Sequence, residues 1–202
     1  MSELGKEYWT DRYKTNETGW DLGAVSPPLK EYFDQIKDKE IRILIPGAGN
    51  AYEAEYLHQQ GFKNVFLLDI SHEPINALKK RVPGFPDAHC ICEDFFLHHG
   101  KYDLIVEQTF FCALHPSLRE RYVLKMQDLL APEGKLIGLL FKIPLNKDSP
   151  PFGGNETEYR NLFEGKLAIQ KMETAHNSIK PREGNELFFT AKKTTGSLVN
   201  HI

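Results

Sequence analysis

Apolar residues along this chain cluster in short runs, separated by stretches in which they recur at three- and four-residue steps. The runs lie at 41–45, 65–68, 88–92, 102–108 and 135–141. Short continuous runs bounded by turn residues predict strands buried on both faces. Between them, 51–60 is compatible with a helix. Ile75, Leu78 and Val82 keep helical spacing until Pro83-Gly84-Phe85-Pro86 ends it. A helix starting at Pro116 carries Leu118, Tyr122, Met126, Leu129 and Leu130 on one core face. Residues 29–36 predict a helix leading into the first strand, and 155–163 a short helix after a loop at 144–154 rich in Pro, Gly and Asn. Two last strands, 167–173 and 187–192, are joined by a loop through 177–182. Alternation over five strands predicts a parallel sheet with helices on both faces. A closing pair joined by a loop predicts an antiparallel last strand. The expected fold is therefore α/β and Rossmann-like: a seven-stranded, mostly parallel sheet behind an N-terminal aromatic arm. Residues 1–202 are read as one domain, with the arm at 1–40 and the core at 41–193. No repeat occurs, and the tail at 194–202 is expected to fray.

The chemistry gathers at predicted strand ends. The first run stops at Pro46 and turns through Gly47-Ala48-Gly49, where glycine makes positive φ and close approach of a ligand inexpensive. The second run ends in Asp69, twenty residues after Gly49. An acid there accepts hydrogen bonds from ribose hydroxyls in nucleotide-binding folds. An ordinary strand-to-helix turn is the competing reading of the glycines, and the placement of Asp69 weighs against it. Tyr52 stands where a dinucleotide fingerprint would have its third glycine. That argues against a pyrophosphate and suits a ligand with adenosine but no phosphate, such as S-adenosylmethionine. Asp94 ends the third strand, where it reads equally as a ligand contact or as a turn cap. Glu107, Gln108, Thr109, Phe110 and Phe111 meet at the rim of the fourth strand. The first forty residues hold both tryptophans, Trp9 and Trp20, with Tyr8 and Tyr13. Trp9 and Tyr13 share a helix face. They belong either to an arm packed on the core or to a lid whose π faces meet a cationic ligand.

Composition narrows the classes. The chain is 41% hydrophobic and 26% charged, with a net charge of -3. That profile fits a soluble globular protein and gives no reason to expect nucleic acid or membrane as a partner. No apolar stretch is long enough to span a bilayer, and the first residues lack the apolar core of a signal peptide. The three cysteines, Cys90, Cys92 and Cys112, contain no C-x-x-C and no zinc spacing. They are expected to be reduced and mostly buried in a cytoplasmic protein, with Cys90 and Cys92 on opposite faces of the third strand. No metal site is expected.

The chain resembles the thiopurine S-methyltransferase superfamily, most of all its plant-type halide and thiol methyltransferases. The resemblance rests on Trp20-Asp21 and Gly23, Ile45-Pro46-Gly47-Ala48-Gly49, Leu68-Asp69-Ile70-Ser71, Glu93-Asp94-Phe95, Tyr102-Asp103-Leu104-Ile105, Phe110-Phe111-Cys112-Ala113, 129–134 and Pro150-Pro151-Phe152. It implies that S-adenosylmethionine is the cofactor and S-adenosylhomocysteine its product. It further implies that Trp9, Tyr13 and Trp20 cover the cofactor and that Gly47 and Gly49 lie against its methionine part. Asp69, with Ile70 beside it, would hold the ribose. Asp94 would accept the adenine amino group, with Phe95 beside the ring. Relatives favour Trp at the middle arm position, where this chain has Tyr13, and Asp-Tyr where it has Glu107-Gln108.

The expected reaction is methyl transfer to a small soft nucleophile: a thiol, thiopurine, halide or chalcogen anion. Such transfer needs positioning and exclusion of water more than acid–base help, so no catalytic residue is nominated. Glu107 is read as orienting the methionine amino group, because a carboxylate beside an anionic nucleophile opposes attack. Gln108, Phe110 and Phe152 are read as substrate-pocket residues, and Phe111 as core. The histidines, His98, His99 and His115 included, are read as mostly solvated, and Arg182 and Lys142 as surface charges. The protein is expected to act as a monomer. Two other readings compete: a nicotinamide-dependent oxidoreductase on a similar strand order, and a non-catalytic module that binds the cofactor without turnover.

Overall fold

The computed structural model describes residues 4–146 and 148–193. Each apolar run becomes a strand: β1 Arg42–Pro46, β2 Asn64–Asp69, β3 Cys90–Cys92, β4 Tyr102–Gln108, β5 Leu130–Phe141, β6 Leu167–Thr174 and β7 Glu186–Lys193. The helices are α1 Lys6–Lys14, α2 Pro27–Asp34, α3 Tyr52–Gln59, α4 His72–Arg81, α5 Arg119–Leu129 and α6 Glu156–Phe163. The strands form one sheet in the order β3-β2-β1-β4-β5-β7-β6. Pairing is parallel from β3 through to β5, and β7 runs antiparallel to both β5 and β6. The expected seven strands, their mostly parallel sense and the antiparallel β7 are all present.

Pleating sorts the runs into two cores. Leu44, Leu68, Ile105 and Leu136 pack on one face with Tyr122 and Met126 of α5 and Tyr159 and Phe163 of α6. Ile43, Ile45, Leu67 and Val106 pack on the other with Leu29 and Phe33 of α2, Leu57 of α3 and Leu78 of α4. Helix starts follow local chemistry. Pro27 and Pro28 open α2, where a missing N–H costs nothing. Ser71 caps α4 by accepting from Glu73 N–H, and Asn155 caps α6 by accepting from Glu158 N–H.

Several boundaries differ from the sequence reading. The third strand is shorter, because 87–89 form a 3-10 turn before Cys90. The fifth strand is longer: Tyr102 pairs with Leu130 and Leu104 with Lys135. The turn residues 131–134 therefore bulge within the strand, with Glu133 at φ 61. The helix expected from Pro116 begins as a 3-10 turn, and α5 proper starts at Arg119. Cys90 and Cys92 both pack toward the α4 side, and Ile91 packs toward the other. Residues two apart on a strand share a face, so the opposite-face expectation was wrong. All three cysteines are free, but only Cys112 is buried. The 194–202 tail lies outside the described residues. Among those residues no helix is long and apolar enough to cross a membrane.

The β4–β5 seam has no slack. A Cβ on Gly138 would lie 2.4 Å from both Cβ and O of Glu107. Gly138→Ala should therefore cost about 1–3 kcal/mol, read as a lower urea midpoint at unchanged slope. A wild-type midpoint would show that the seam can open.

Candidate active site

The order of strands reverses between β1 and β4, and in open α/β sheets ligands bind outside the carboxyl ends at that point. Here β1 runs into Gly47 at φ 57 and Gly49 at φ 53, and Ala51 continues the left-handed path at φ 58. Ala48 N–H donates to the Leu68 carbonyl at 3.2 Å, tying the turn to β2. Asp69 completes the link. Its Oδ2 accepts from Gly49 N–H at 3.2 Å and its Oδ1 from Ser71 N–H at 2.9 Å. Burial pushes the Asp69 carboxyl up to about 6, against the N–H groups of Ser71, Gly49 and Ile70, which pull it down. Ile70, half-buried, follows it at the rim, where its carbonyl faces the Cys92 thiol at 3.6 Å.

The arm lies over this turn. Trp9 and Tyr13 sit on one face of α1 and both meet Trp20 edge-on, at centroid distances of 5.6 and 5.8 Å. A Cβ on Gly49 would lie 3.6 Å from the Tyr13 hydroxyl and 3.9 Å from Trp20 Nε1. Burial, then the nearby Asp69 carboxylate, push the Tyr13 phenol far above its usual range. Four polar links hold the arm and the segment after it. Thr10 and Ser71 hydroxyls meet at 2.9 Å, Asn50 Nδ2 donates to Asp21, Ser26 N–H donates to buried Glu53 at 3.0 Å, and Arg182 donates to the Trp20 carbonyl at 2.7 Å. Between arm and turn remains a cleft of about 30 Å³, bordered by Trp20, Asp21, Gly49, Asn50, Gln108 and Thr109.

At the β4 rim the two neighbours Glu107 and Gln108 face opposite ways. Glu107 is fully buried. Its Oε1 accepts from the N–H groups of Phe110 at 2.8 Å and Phe111 at 2.9 Å, and its Oε2 accepts from the Tyr122 hydroxyl. It points into the α5 core, away from the cleft, so the expectation that it orients a ligand's amino group is not met. Alternation along β4 explains why: Glu107 shares the face of Ile105, and Gln108 shares that of Leu104 and Val106. Gln108 borders the cleft, and its Oε1 is buried without a hydrogen-bond partner. Thr109 follows at φ 57, an outlier for a β-branched residue.

The aromatic candidates divide. Phe110 lies on Gly47, where a Cβ would come within 2.2 Å of its ring. Phe95 is buried beneath Phe110, edge-on at 5.1 Å. Phe152 is 1% exposed and does not wall the cleft. Its N–H donates to the Cys112 carbonyl at 2.7 Å, which ties the chain at Phe152 to the rim. Phe111 is core, as expected. Asp94 Oδ1 accepts from Phe96 N–H at 2.8 Å, which makes it a turn cap whatever else it binds.

Two surface assignments also fail. His98 is buried, bonded to the Glu93 carboxylate through Nδ1 and to the Tyr102 hydroxyl through Nε2 at 2.8 Å. Arg182 is buried too, between Glu186 and the Trp20 carbonyl. Nothing local in the sequence marks Arg182, whose arm partner lies 162 residues away. Asn50, directly after the glycine turn, was the one arm anchor with a positional hint. Lys142 is exposed, beside a separate groove of about 240 Å³.

Sheet order, glycine turn and buried Asp69 together define a Rossmann-like α/β fold whose switch point is covered by an aromatic arm. The sequence profile of thiopurine S-methyltransferase matches residues 4–195. "Probable thiol methyltransferase 2" of Arabidopsis thaliana is 30% identical over 96% of this chain and 88% of its own. A thiopurine S-methyltransferase of Photobacterium profundum is 24% identical over 95% and 97%. In fold, the chain superimposes with a TM-score of 0.74 on 1,6-didemethyltoxoflavin-N1-methyltransferase of Burkholderia thailandensis, solved with S-adenosylhomocysteine. That match is 18% identical and covers 94% of this chain and 87% of the other. The chain belongs to the thiopurine S-methyltransferase family. Membership disfavours the oxidoreductase reading.

Burial pushes Glu107 from 4.5 up to about 7, with its three hydrogen bonds opposing. An acid whose folded pKa lies above its unfolded value keeps its proton longer when folded. Its contribution is therefore full below about 4.5 and is lost as pH rises through about 7. Glu107→Gln keeps an acceptor for the two N–H groups and has no proton to lose. Stability measured by urea unfolding from pH 4.5 to 7.5 should fall less steeply with pH in this variant than in wild type. Parallel profiles would mean that Glu107 does not titrate in that window.

Proposed function

We propose that this enzyme transfers the methyl group of S-adenosylmethionine to a small soft nucleophile, a thiol, thiopurine, halide or chalcogen anion, by direct in-line displacement. The observation that carries the site assignment is the left-handed glycine turn roofed by Tyr13 and Trp20 and braced from below by Asp69. The residues fit the cofactor. The turn carries no Cβ where the arm stands 3.6 to 3.9 Å away, and the buried Gln108 Oε1 has no partner among the described residues. Gly47 and Gly49 would take the amino-acid part, Asp69 and Ile70 the ribose, Asp94 and Phe95 the adenine. Trp9, Tyr13 and Trp20 would cover it, their π faces suited to a cation. Phe110 would border the transfer site.

When bound, S-adenosylmethionine supplies a methyl group already activated on a sulfonium. The chain's task is to position and to exclude water, which can contribute about 7–11 kcal/mol. A thiol of pKa about 8.5 is already a few per cent thiolate at neutral pH, and a halide has no proton, so neither needs a strong base. Turning Glu107 inward is consistent with that economy. The acceptor is a small molecule in this reading. The thiol and thiopurine methyltransferases among the relatives support that choice. A monomeric cytoplasmic enzyme without nucleic-acid partners completes the proposal, supported by the net charge of -3 and by the absence of a membrane-crossing helix among the described residues.

Turnover tests the function. Protein and S-adenosylmethionine are incubated separately with hydrosulfide, thiocyanate, iodide, an aromatic thiol and a thiopurine, and S-adenosylhomocysteine is quantified against a no-acceptor control. Product with a sulfur or halide acceptor is expected. Binding without turnover on any of them would favour the non-catalytic module. Asp69→Asn should weaken S-adenosylhomocysteine binding by about ten-fold or more, as expected for loss of a charged hydrogen-bond acceptor, while the circular dichroism spectrum stays unchanged. Normal affinity would remove Asp69 from the ribose site. The arm borders the cleft through Trp20 and Asp21, so in this reading it acts as a lid. Deleting residues 1–22 should speed ligand release and weaken binding. Unchanged affinity would show that the arm is not a lid.

A further inference from the structure

We propose that His98 is a positioning residue for recognition of the base: held between the Glu93 carboxylate and the Tyr102 hydroxyl, it fixes the turn that presents Asp94. It acts through Asp94 and touches no ligand itself. The role rests on the cofactor site proposed above, in which Asp94 takes the adenine.

The need for such a residue follows from the topology. In sequence β3 is followed directly by β4, yet the sheet places β2 and β1 between them. Crossovers between parallel strands usually carry a helix. Residues 93–101 contain none. The turn that holds Asp94 therefore has no helix behind it. Its backbone is closed by Leu97 N–H to the Asp94 carbonyl at 2.9 Å and by His98 N–H to the Phe95 carbonyl at 3.3 Å. Its tip, Leu97, is 68% exposed and adds little packing.

Side chains supply the missing stiffness. At the near end Glu93 N–H donates to the Asp69 carbonyl at 3.1 Å, continuing the β2–β3 pairing past Cys92. At the far end His98 is buried, with Nδ1 on the Glu93 carboxylate and Nε2 on the Tyr102 hydroxyl at 2.8 Å. A carboxylate only accepts, so in the neutral ring Nδ1–H donates to Glu93 and Nε2 accepts from Tyr102 O–H. Tyr102 cannot give way. It is the first residue of β4, it meets Phe66 edge-on at 5.7 Å, and a Cβ on Gly100 would lie 2.8 Å from its ring. Tyr102, His98 and Glu93 thus form a strut from the base of β4 to the residue before Asp94.

Asp94 depends on that strut for its placement. Its Oδ1 is taken by Phe96 N–H, which leaves Oδ2 for the adenine amino group. Recognition through one oxygen tolerates little displacement. An apolar side chain would fill the space of His98 without the cost of burying an imidazole. What the imidazole adds is two directed contacts from opposite ring nitrogens, which set the distance between Tyr102 and Glu93.

The test is discrimination between two ligands, measured by calorimetry: S-adenosylhomocysteine and its 6-deamino analogue, in which hydrogen replaces the adenine amino group. Wild type should bind S-adenosylhomocysteine about ten-fold or more tighter, as for a hydrogen bond to a charged group. In His98→Phe the preference should fall to within about three-fold. Glu93→Ala should do the same while changing a side chain that is 40% exposed, which keeps the test decisive if the buried substitution fails to fold. Glu93→Gln, whose amide oxygen still accepts from Nδ1–H, should keep the wild-type preference. A full preference in both His98→Phe and Glu93→Ala would overturn the role. So would weakening of both ligands in equal proportion, the mark of a purely structural residue. A wild-type protein with no preference would remove Asp94 from the adenine, a failure of the underlying site that is visible without any variant.

Discussion

A buried carboxylate organises the working edge of this molecule. Glu107 is fully excluded from solvent, yet it accepts three hydrogen bonds, from Phe110 N–H, Phe111 N–H and the Tyr122 hydroxyl. An unpaired carboxylate in that position would be untenable. The three donors make it tolerable, and in return they fix the chain from 108 to 111. Glu107 has room only because Gly138 on β5 lacks a Cβ, and Phe110 can lie on the glycine turn only because Gly47 lacks one. The dependence thus crosses three neighbouring strands, from β5 through β4 to β1. Each step replaces a side chain with space or a solvent contact with a hydrogen bond.

The arm is attached on different terms. None of the described residues of α1 is buried, and a nine-residue helix is marginal alone. Its two edge-on contacts with Trp20 are each worth about 0.5–1.5 kcal/mol. The Arg182–Glu186 pair is nearly desolvated, so its Coulombic gain is largely offset. Its consequence is directional: Arg182, held by Glu186, delivers a second N–H to the Trp20 carbonyl. An element fastened by a few kcal/mol opens far more often than the sheet unfolds.

The sheet was legible because strands buried on both faces are apolar over most of their length, as 41–45, 65–68 and 102–106 are. The glycine turn and Asp69 were legible because the chemistry needs those residue types at the ends of those strands. The direction of Glu107 is written in the period-2 alternation of β4, where Ile105 and Glu107 share a face. Phe152, read as a pocket wall, is drawn into the interior by backbone bonding to Cys112. His98 and Arg182 were misread for a deeper reason. Polar residues are buried where partners distant in sequence satisfy them, and no local period carries that information.

Separating the two β4 neighbours also resolves an electrostatic conflict. A site that binds a cationic donor while an anionic nucleophile approaches must attract the first without repelling the second. A carboxylate exposed about 4 Å from an anion would oppose it by about 4 kcal/mol at an effective dielectric of 20. A neutral amide presents a carbonyl dipole and no net charge to an approaching anion. In this chain the carboxylate faces the core, surrounded by donors, and the amide faces the cleft. The same two residues in reversed order would put the charge at the cleft and leave an amide among Tyr122 and the rim N–H groups. The order Glu-Gln, set against strand alternation, is therefore a chemical choice as much as a packing one.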